Sequence, residues 1–212
     1  MRILGIDEAG RGPVIGPLVM AGVVGDEKKL KALGAKDSKM LTPKQREDLF
    51  EQIKSLATDY KIVIIPPAEI DAAVLSKNTN LNWLEADHAA EIINALKPDR
   101  AIVDCPSNNL KKYTEYLVKK LTCKPEMVVE HKADANYPSC SAASILAKVT
   151  RDREIEKLEK KVGPLGSGYP SDPTTQAFLK RHYLDYPGIF RKSWESYKRL
   201  VEVKKQRNLG EF

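Results

Sequence analysis

Near its start the chain carries the stretch ILGIDEAGRGP, residues 3–13. An aliphatic run that breaks into glycines is typical of a strand, so the sequence predicts a strand over residues 2–6. Asp7 and Glu8 follow at its open end, where a sheet presents groups to a ligand. Because adjacent carboxylates repel each other, protons or a divalent cation would have to offset their charge, and Mg²⁺ and Mn²⁺ prefer such oxygen ligands.

The alternative for this acidic pair is a solvated turn, since Asp and Gly are ordinary turn residues. The neighbouring Gly10, Arg11 and Gly12 favour a binding site instead. Glycines permit close backbone approach, and the arginine between them offers a fork of donors that matches a phosphate. A segment that suits anions therefore adjoins one that suits cations, which predicts a phosphodiester held by metal ions and by backbone amides.

The composition is that of a globular protein with an ordinary core. The 212 residues are 42% hydrophobic, and Lys and Arg outnumber Asp and Glu by 35 to 29, which makes a polyanionic partner plausible. No stretch approaches the roughly 20 apolar residues of a membrane helix. The three cysteines lack metal-binding spacing and are odd in number, so we expect a soluble protein in the reducing cytoplasm.

The order of elements predicts an α/β fold. Strand-like segments recur along the chain, and helical periodicity separates the later ones, which indicates a mixed five-stranded sheet flanked by helices. The predicted strands after the first are residues 18–24, 60–65, 100–103 and 127–130. The clearest helices are predicted at residues 42–57, where Thr42 begins a capping box, and at residues 139–162.

The composition changes after the glycine-rich residues 163–168. Two further helices are expected there, one capped by Asp172 and one by Ser193. We therefore predict a catalytic domain at residues 1–165, a small helical substrate-binding lobe at residues 166–205 and a tail at residues 206–212.

Four acids are candidates for one site: Asp7, Glu8, Asp104 and Asp134. Each lies at or shortly after a predicted strand, and strand ends of one sheet can bring distant residues together. Each is ambiguous by itself, because Asp104 before Cys-Pro could form a turn and Asp134 could cap the next helix.

Residues 5–12, GIDEAGRG, resemble the signature of ribonuclease HII, the type 2 ribonuclease H family. Later segments of the chain resemble further sequence blocks of that family, in the same order and over nearly the whole chain. Each block alone is a weak signal, but their joint occurrence is specific for the family. These blocks are residues 37–39, 103–104, 132–134, 141–149 and 168–173. The resemblance is to the archaeal branch and implies a ribonuclease H-like fold with a C-terminal helical lobe.

The resemblance implies a metal-dependent endonuclease. It would hydrolyse the RNA strand of RNA–DNA hybrids and cut on the 5′ side of single ribonucleotides in duplex DNA, leaving 3′-hydroxyl and 5′-phosphate ends. Asp7, Glu8, Asp104 and Asp134 would bind two Mg²⁺ or Mn²⁺ ions, with Asp7 between both and Asp134 beside the ion that binds water. The other interpretations are a different nuclease of the same fold, such as a junction resolvase, and a non-catalytic nucleic-acid-binding module.

The resemblance also implies how RNA is recognised. Backbone groups of Gly10, Arg11 and Gly12 would detect the 2′-hydroxyl, the group that distinguishes RNA from DNA. Tyr169 would stack on the sugar of the following deoxynucleotide. The alternative for Tyr169 is a packing tyrosine beneath a glycine-rich loop.

Further basic residues are candidates for contacts with a nucleic-acid backbone. Lys39 and Lys148 could bind phosphates or could be solvated lysines. The basic run at residues 191–207 would suit a duplex, although a solvated helix face is the commoner reason for such a run. Trp194 within it is expected to be a core anchor.

The C-terminal tail has the spacing of a sliding-clamp-binding peptide. Gln206, Leu209 and Phe212 resemble the PCNA-interacting motif, in which one helical turn forms a hydrophobic plug. The usual second aromatic residue is absent, so a frayed basic tail is the alternative. We expect a monomer that acts on its nucleic-acid substrate beside a clamp.

Overall fold

The computed structural model describes residues 1–34 and 41–209, with only the backbone described at residues 204, 205 and 207–209. Within these residues the strands are β1 (Ile3–Ala9), β2 (Leu18–Val24), β3 (Asp59–Ile65), β4 (Arg100–Asp104) and β5 (Glu126–Glu130). The helices are α1 (Glu27–Ala32), α2 (Pro43–Leu56), α3 (Pro67–Leu75), α4 (Leu81–Leu96), α5 (Leu110–Lys119), α6 (Ala133–Asn136), α7 (Pro138–Val162), α8 (Pro173–His182) and α9 (Glu195–Leu209).

The strands form one mixed five-stranded sheet in the order β3-β2-β1-β4-β5. The central strand β1 pairs antiparallel with β2 and parallel with β4, and β4 pairs parallel with β5. The predicted α/β fold with a mixed sheet and flanking helices is confirmed.

Strand β1 is longer than the sequence predicts. Its pairing with β4 ends at Ile6, but its ladder with β2 continues to Ala9, with Asp7 opposite Ala21. Asp7 and Glu8 therefore lie inside a strand rather than beyond its end, because the antiparallel neighbour keeps the backbone extended.

The two faces of β1 pack against different helices. On one face α4 covers Leu4, and on the other α7 begins directly over Gly5. A β-carbon at Gly5 would overlap the backbone at Ser139 and Cys140, so only glycine permits this approach. Asp7 shares the face of Gly5, because side chains alternate along a strand.

Local sequence signals account for the helices that were predicted. Thr42 and Gln45 form the expected capping box of α2, and the side chain of Asp172 accepts a hydrogen bond from the Thr174 amide at the start of α8. Helices α1, α3 and α6 were missed, because four to nine residues carry little periodic signal. None of the helices described here combines the length and the apolar character that a membrane crossing requires.

The chain divides into two compact units, each assembled from three separate segments. The first comprises Met1–Ala9, Val19–Ile64 and Leu81–Arg151, and the second comprises Gly10–Leu18, Ile65–Asn80 and Asp152–Phe212. The core of the first unit joins β2 to α1, α2 and α7. The core of the second joins Val14 and Ile15 to the aromatic side chains of α8, α9 and their connection. The functional boundary at residue 165 stays a prediction.

Candidate active site

Three of the four predicted acids form a compact cluster in the first unit. Asp7 comes from β1, Asp104 from the end of β4 and Asp134 from α6, and one carboxylate oxygen of each lies within 4.8 Å of the others. Asp7 is buried, whereas Asp104 and Asp134 are half-buried. Three such oxygens can coordinate a divalent cation from one side.

The sheet register explains how Asp7 meets Asp104. Ile6 pairs with Val103 in the parallel ladder, so the next residue of each strand continues in the same register. Parallel pairing thus sets two carboxylates beside each other at the same edge of the sheet, although they are 97 residues apart in sequence.

A left-handed backbone residue brings Asp134 to the cluster. Lys132 has a φ of 57°, which is uncommon outside glycine, and it turns the chain sharply between β5 and α6. The turn also directs the Ala133 amide to the Oδ1 atom of Asp104, at 3.2 Å. One bend therefore orients two of the three acids.

Burial and repulsion raise the pKa of Asp7 to about 7 from its ordinary value of 3.8. Desolvation is the largest cause, and the charge of Asp104 adds to it, with a smaller contribution from Asp134. The Glu8 amide, at 2.7 Å from Oδ1, and the Ser144 hydroxyl oppose the shift by hydrogen bonding to the carboxylate. The site therefore favours a proton or a cation.

The pKa of Asp104 is also raised, mainly by burial and then by the charge of Asp134. Amide hydrogen bonds from Ala133, Lys132 and Cys105 lower it in part. A partly buried set of oxygen donors with like charge fits the hard ions Mg²⁺ and Mn²⁺, which such donors bind well.

Glu8 lies outside this cluster of oxygens. Because it follows Asp7 directly in β1, the two side chains start from opposite faces of the sheet. The structure thus brings together three of the four predicted acids, and a ligand role for Glu8 stays a prediction.

Helix α7 adds a residue that the sequence did not single out. Ser144, which hydrogen-bonds Asp7, is a half-buried hydroxyl among the buried Ala143, Ile145 and Leu146. A lone polar residue in so apolar a helical segment is the signal that could have found it. Lys148 lies one turn further on the same helix face, half-buried.

In the second unit, the Gly10–Gly12 segment meets the loop that carries Tyr169. Gly10 is buried and has a φ of 86°, whereas Gly12 is exposed. A β-carbon on Gly12 would lie 3.4 Å from Cε1 of Tyr169, whose side chain is 39% exposed. The amide of Val14 donates to the carbonyl of Gly168 at 2.8 Å, which ties the two segments together.

The remaining predicted residues are only partly described. Lys39 and Phe212 lie outside the described residues. Gln206 is an exposed residue of α9, and Leu209 is the last residue of that helix.

Comparison with known proteins decides the family. The sequence model of ribonuclease HII matches residues 4–197, which include the acid cluster, the Gly10–Gly12 segment and Tyr169. The chain belongs to the ribonuclease HII family. It is 49% identical to the ribonuclease HII of Pyrococcus furiosus over 210 residues, which cover 95% of this chain and 92% of that protein.

Solved structures of ribonuclease HII proteins share the fold. The crystal structure of ribonuclease H2 from Pyrococcus horikoshii matches with a TM-score of 0.87 and 45% identity, over 95% of this chain and 98% of that one. The structure of the PCNA:RNase HII complex from Archaeoglobus fulgidus matches with a TM-score of 0.85 and 42% identity, over 92% and 96% of the two chains. The chain is thus an enzyme of the ribonuclease H class, an endonuclease, as its signature predicts.

Proposed function

We propose that this ribonuclease HII hydrolyses the RNA strand of RNA–DNA hybrids and cuts on the 5′ side of single ribonucleotides in duplex DNA. The products carry 3′-hydroxyl and 5′-phosphate ends. The observation that carries the proposal is the cluster of Asp7, Asp104 and Asp134, whose oxygens lie within 4.8 Å of one another.

In this proposal the carboxylates hold two Mg²⁺ or Mn²⁺ ions. Asp7 would help to hold both ions, Asp134 would help to hold the ion that supplies the attacking water, and Glu8 and Asp104 would complete the set. When bound, the ions supply an activated water and neutralise charge on the leaving 3′ oxygen. The raised pKa values of Asp7 and Asp104 support this assignment, because burial and the neighbouring like charges favour a proton or a cation at these carboxylates.

The Gly10–Gly12 segment and Tyr169 recognise the sugars in this proposal. Backbone groups of the segment detect the 2′-hydroxyl, and the exposed ring of Tyr169 stacks on the following deoxyribose. Their proximity supports a joint role, since a β-carbon at Gly12 would be in van der Waals contact with the Tyr169 ring. Lys39 and Lys148 contact phosphates of the bound strand.

We also propose that the C-terminal tail binds a sliding clamp. Gln206, Leu209 and Phe212 have the spacing of the clamp-binding peptide, and the similar ribonuclease HII of Archaeoglobus fulgidus has been solved as a complex with PCNA. The exposed position of Gln206 near the end of α9 leaves it accessible to a partner.

One cleavage assay tests the catalytic proposal. Three labelled substrates are compared with Mg²⁺, with Mn²⁺ and with a chelator: a DNA duplex with one ribonucleotide, its all-DNA counterpart and an RNA–DNA hybrid. We expect cleavage 5′ to the ribonucleotide and along the RNA strand with either ion, and no cleavage with the chelator. Cleavage of the all-DNA duplex would favour a junction resolvase, and binding without cleavage would favour a non-catalytic module.

A further inference from the structure

Arg191 belongs to the basic run that would suit either a duplex or a solvated helix face, but the structure gives it a different place. Its side chain is fully buried in the second unit. Its guanidinium donates to three backbone carbonyls: Nη2 to Gly10 at 2.6 Å, Nη1 to Arg11 at 2.9 Å and Nε to Gly16 at 3.0 Å. A group so enclosed is not available to a phosphate.

Trp194 binds the next backbone carbonyl of the Gly10–Gly12 segment. Its Nε1–H donates to the carbonyl of Gly12 at 2.9 Å. The guanidinium of Arg191 lies over its indole, with Cζ 4.9 Å from the ring centroid, which is a cation–π contact. Two side chains in contact with each other thus bind the three successive carbonyls of the Gly10–Gly12 segment.

These hydrogen bonds fix the direction of the amide groups. In a trans peptide the carbonyl of one residue and the N–H of the next point in opposite directions, and the described residues contain no cis bond. Since the carbonyls of Gly10 and Arg11 point toward Arg191, the N–H groups of Arg11 and Gly12 point away from it. Gly12 is followed by Pro13, which has no N–H.

An arginine suits this position better than any other cation. Three carbonyls in fixed places need a planar fork with several N–H donors, whereas the single nitrogen of a lysine is a point charge. Loss of the guanidinium would leave the buried carbonyls of Gly10 and Gly16 without these donors, and loss of either partner would let the peptide planes rotate.

We propose that Arg191 and Trp194 are positioning residues for ribose selection. They act through the Gly10–Gly12 segment, whose carbonyls they bind so that its amides face the substrate and donate to the 2′ oxygen. This inference rests on the proposed function, because it assigns the cause of the selectivity of that same segment.

Three variants test the role. Trp194→Phe keeps an aromatic ring beside Arg191 and removes the N–H donor to Gly12, whereas Arg191→Lys keeps the charge and removes the fork. Ser193→Ala is the matched control in the same turn. It removes the hydroxyl bond to Asp71, at 2.5 Å, and leaves the Gly10–Gly12 carbonyls untouched.

The decisive measurement is the ratio of two dissociation constants, measured by fluorescence anisotropy with a chelator present. One duplex contains a single ribonucleotide and the other is all DNA. We expect the wild type to prefer the ribonucleotide by more than about tenfold, and we expect Trp194→Phe to reduce this preference by about fivefold, as the loss of one hydrogen bond would. Arg191→Lys should abolish the preference and Ser193→Ala should keep it.

A purely structural role would weaken binding to both duplexes equally and leave the ratio of dissociation constants unchanged, which would overturn the inference. The inference would also be overturned if the wild type showed no preference, or if Ser193→Ala reduced the preference as much as Trp194→Phe does. If Arg191→Lys fails to fold, as judged by its thermal transition, Trp194→Phe still decides. Failure of the proposed function is a separate result: the wild type would not cut the ribonucleotide duplex with Mg²⁺ or Mn²⁺.

Discussion

Asp7 links the chemistry of the site to the stability of the protein. Its pKa is near 7 in the folded chain and 3.8 when unperturbed, so between these values the folded state binds the extra proton. Stability without metal therefore falls as the pH rises from about 4 to 7 and stays low above that. The burial that raises this pKa also prepares the site for a cation.

Replacement of Asp7 by Asn should stabilise the metal-free protein at pH 8, because the neutral amide needs no counter-charge. We expect the free energy of unfolding to rise by about 2 kcal/mol at pH 8 and to change little at pH 4. Urea unfolding with a chelator at both pH values measures this. Added Mg²⁺ or Mn²⁺ should raise the melting temperature of the wild type only.

The matched control is Asp59→Asn, which changes a carboxylate that is 48% exposed and pairs with Arg2 at the surface. It should not reproduce the gain. Equal stability of the wild type and Asp7→Asn at pH 8 would mean that Asp7 is not destabilised by its surroundings.

Asp104→Asn tests the ligand set directly. The amide oxygen can still accept the Ala133 hydrogen bond, but the charge that would hold a cation is gone. We expect turnover on the single-ribonucleotide duplex to fall by about 100-fold or more, with the melting temperature preserved. Near-normal turnover would remove Asp104 from the set of ligands.

Tyr169→Ala should impair cleavage at a single ribonucleotide more than cleavage of a hybrid. The reason is that the ring is proposed to stack on a deoxyribose, which follows the ribonucleotide only in the first substrate. Comparison of kcat/KM on both substrates measures this, with Tyr169→Phe as the variant that keeps the ring. Equal losses on the two substrates would contradict the stacking role.

At the scale of elements, the contact between β1 and α7 places the acid cluster. Helix α7 begins against Gly5, two residues before Asp7 on the same face, and it carries the Ser144 hydroxyl to that carboxylate. Any side chain at Gly5 would push the helix away from the strand. The glycine in the first block is therefore a packing requirement of the site.

Gly5→Ala should destabilise the protein by about 3 kcal/mol, because the added methyl group meets rigid backbone rather than a flexible side chain. Thermal or urea unfolding measures the loss. Gly188→Ala is the control, since a β-carbon there would meet no atom within 4 Å. A stable Gly5→Ala variant would show that α7 can shift without cost.

Elements with strong local signals could be predicted, and those without could not. The strand at residues 18–24 and the capped helix α2 follow from an apolar run and a capping box. The turn into α6 depends on a left-handed Lys132, a conformation that its residue type disfavours. Tertiary packing must impose such a turn, so local pattern could not predict it.

For the whole molecule, the proposed clamp-binding tail should be separable from the chemistry. Deletion of residues 206–212 should weaken binding to PCNA while leaving cleavage of the single-ribonucleotide duplex unchanged, because the family match ends at residue 197. A pull-down and the cleavage assay measure the two properties. Phe212→Ala in the full chain is a milder variant that should also weaken binding to PCNA. Undiminished binding to PCNA after the deletion would contradict the assignment of the tail as the clamp-binding segment.

The sequence by itself determined the fold class, the family and the acids worth testing, because strand patterns, caps and ordered motif blocks are local properties of the chain. Only the tertiary structure decided which of those acids meet, through the β1–β4 register and the turn at Lys132. It also left Glu8 outside the cluster of three acids and enclosed Arg191 beneath backbone carbonyls. Side-chain direction and burial depend on contacts between distant segments of the chain, which local sequence patterns do not specify.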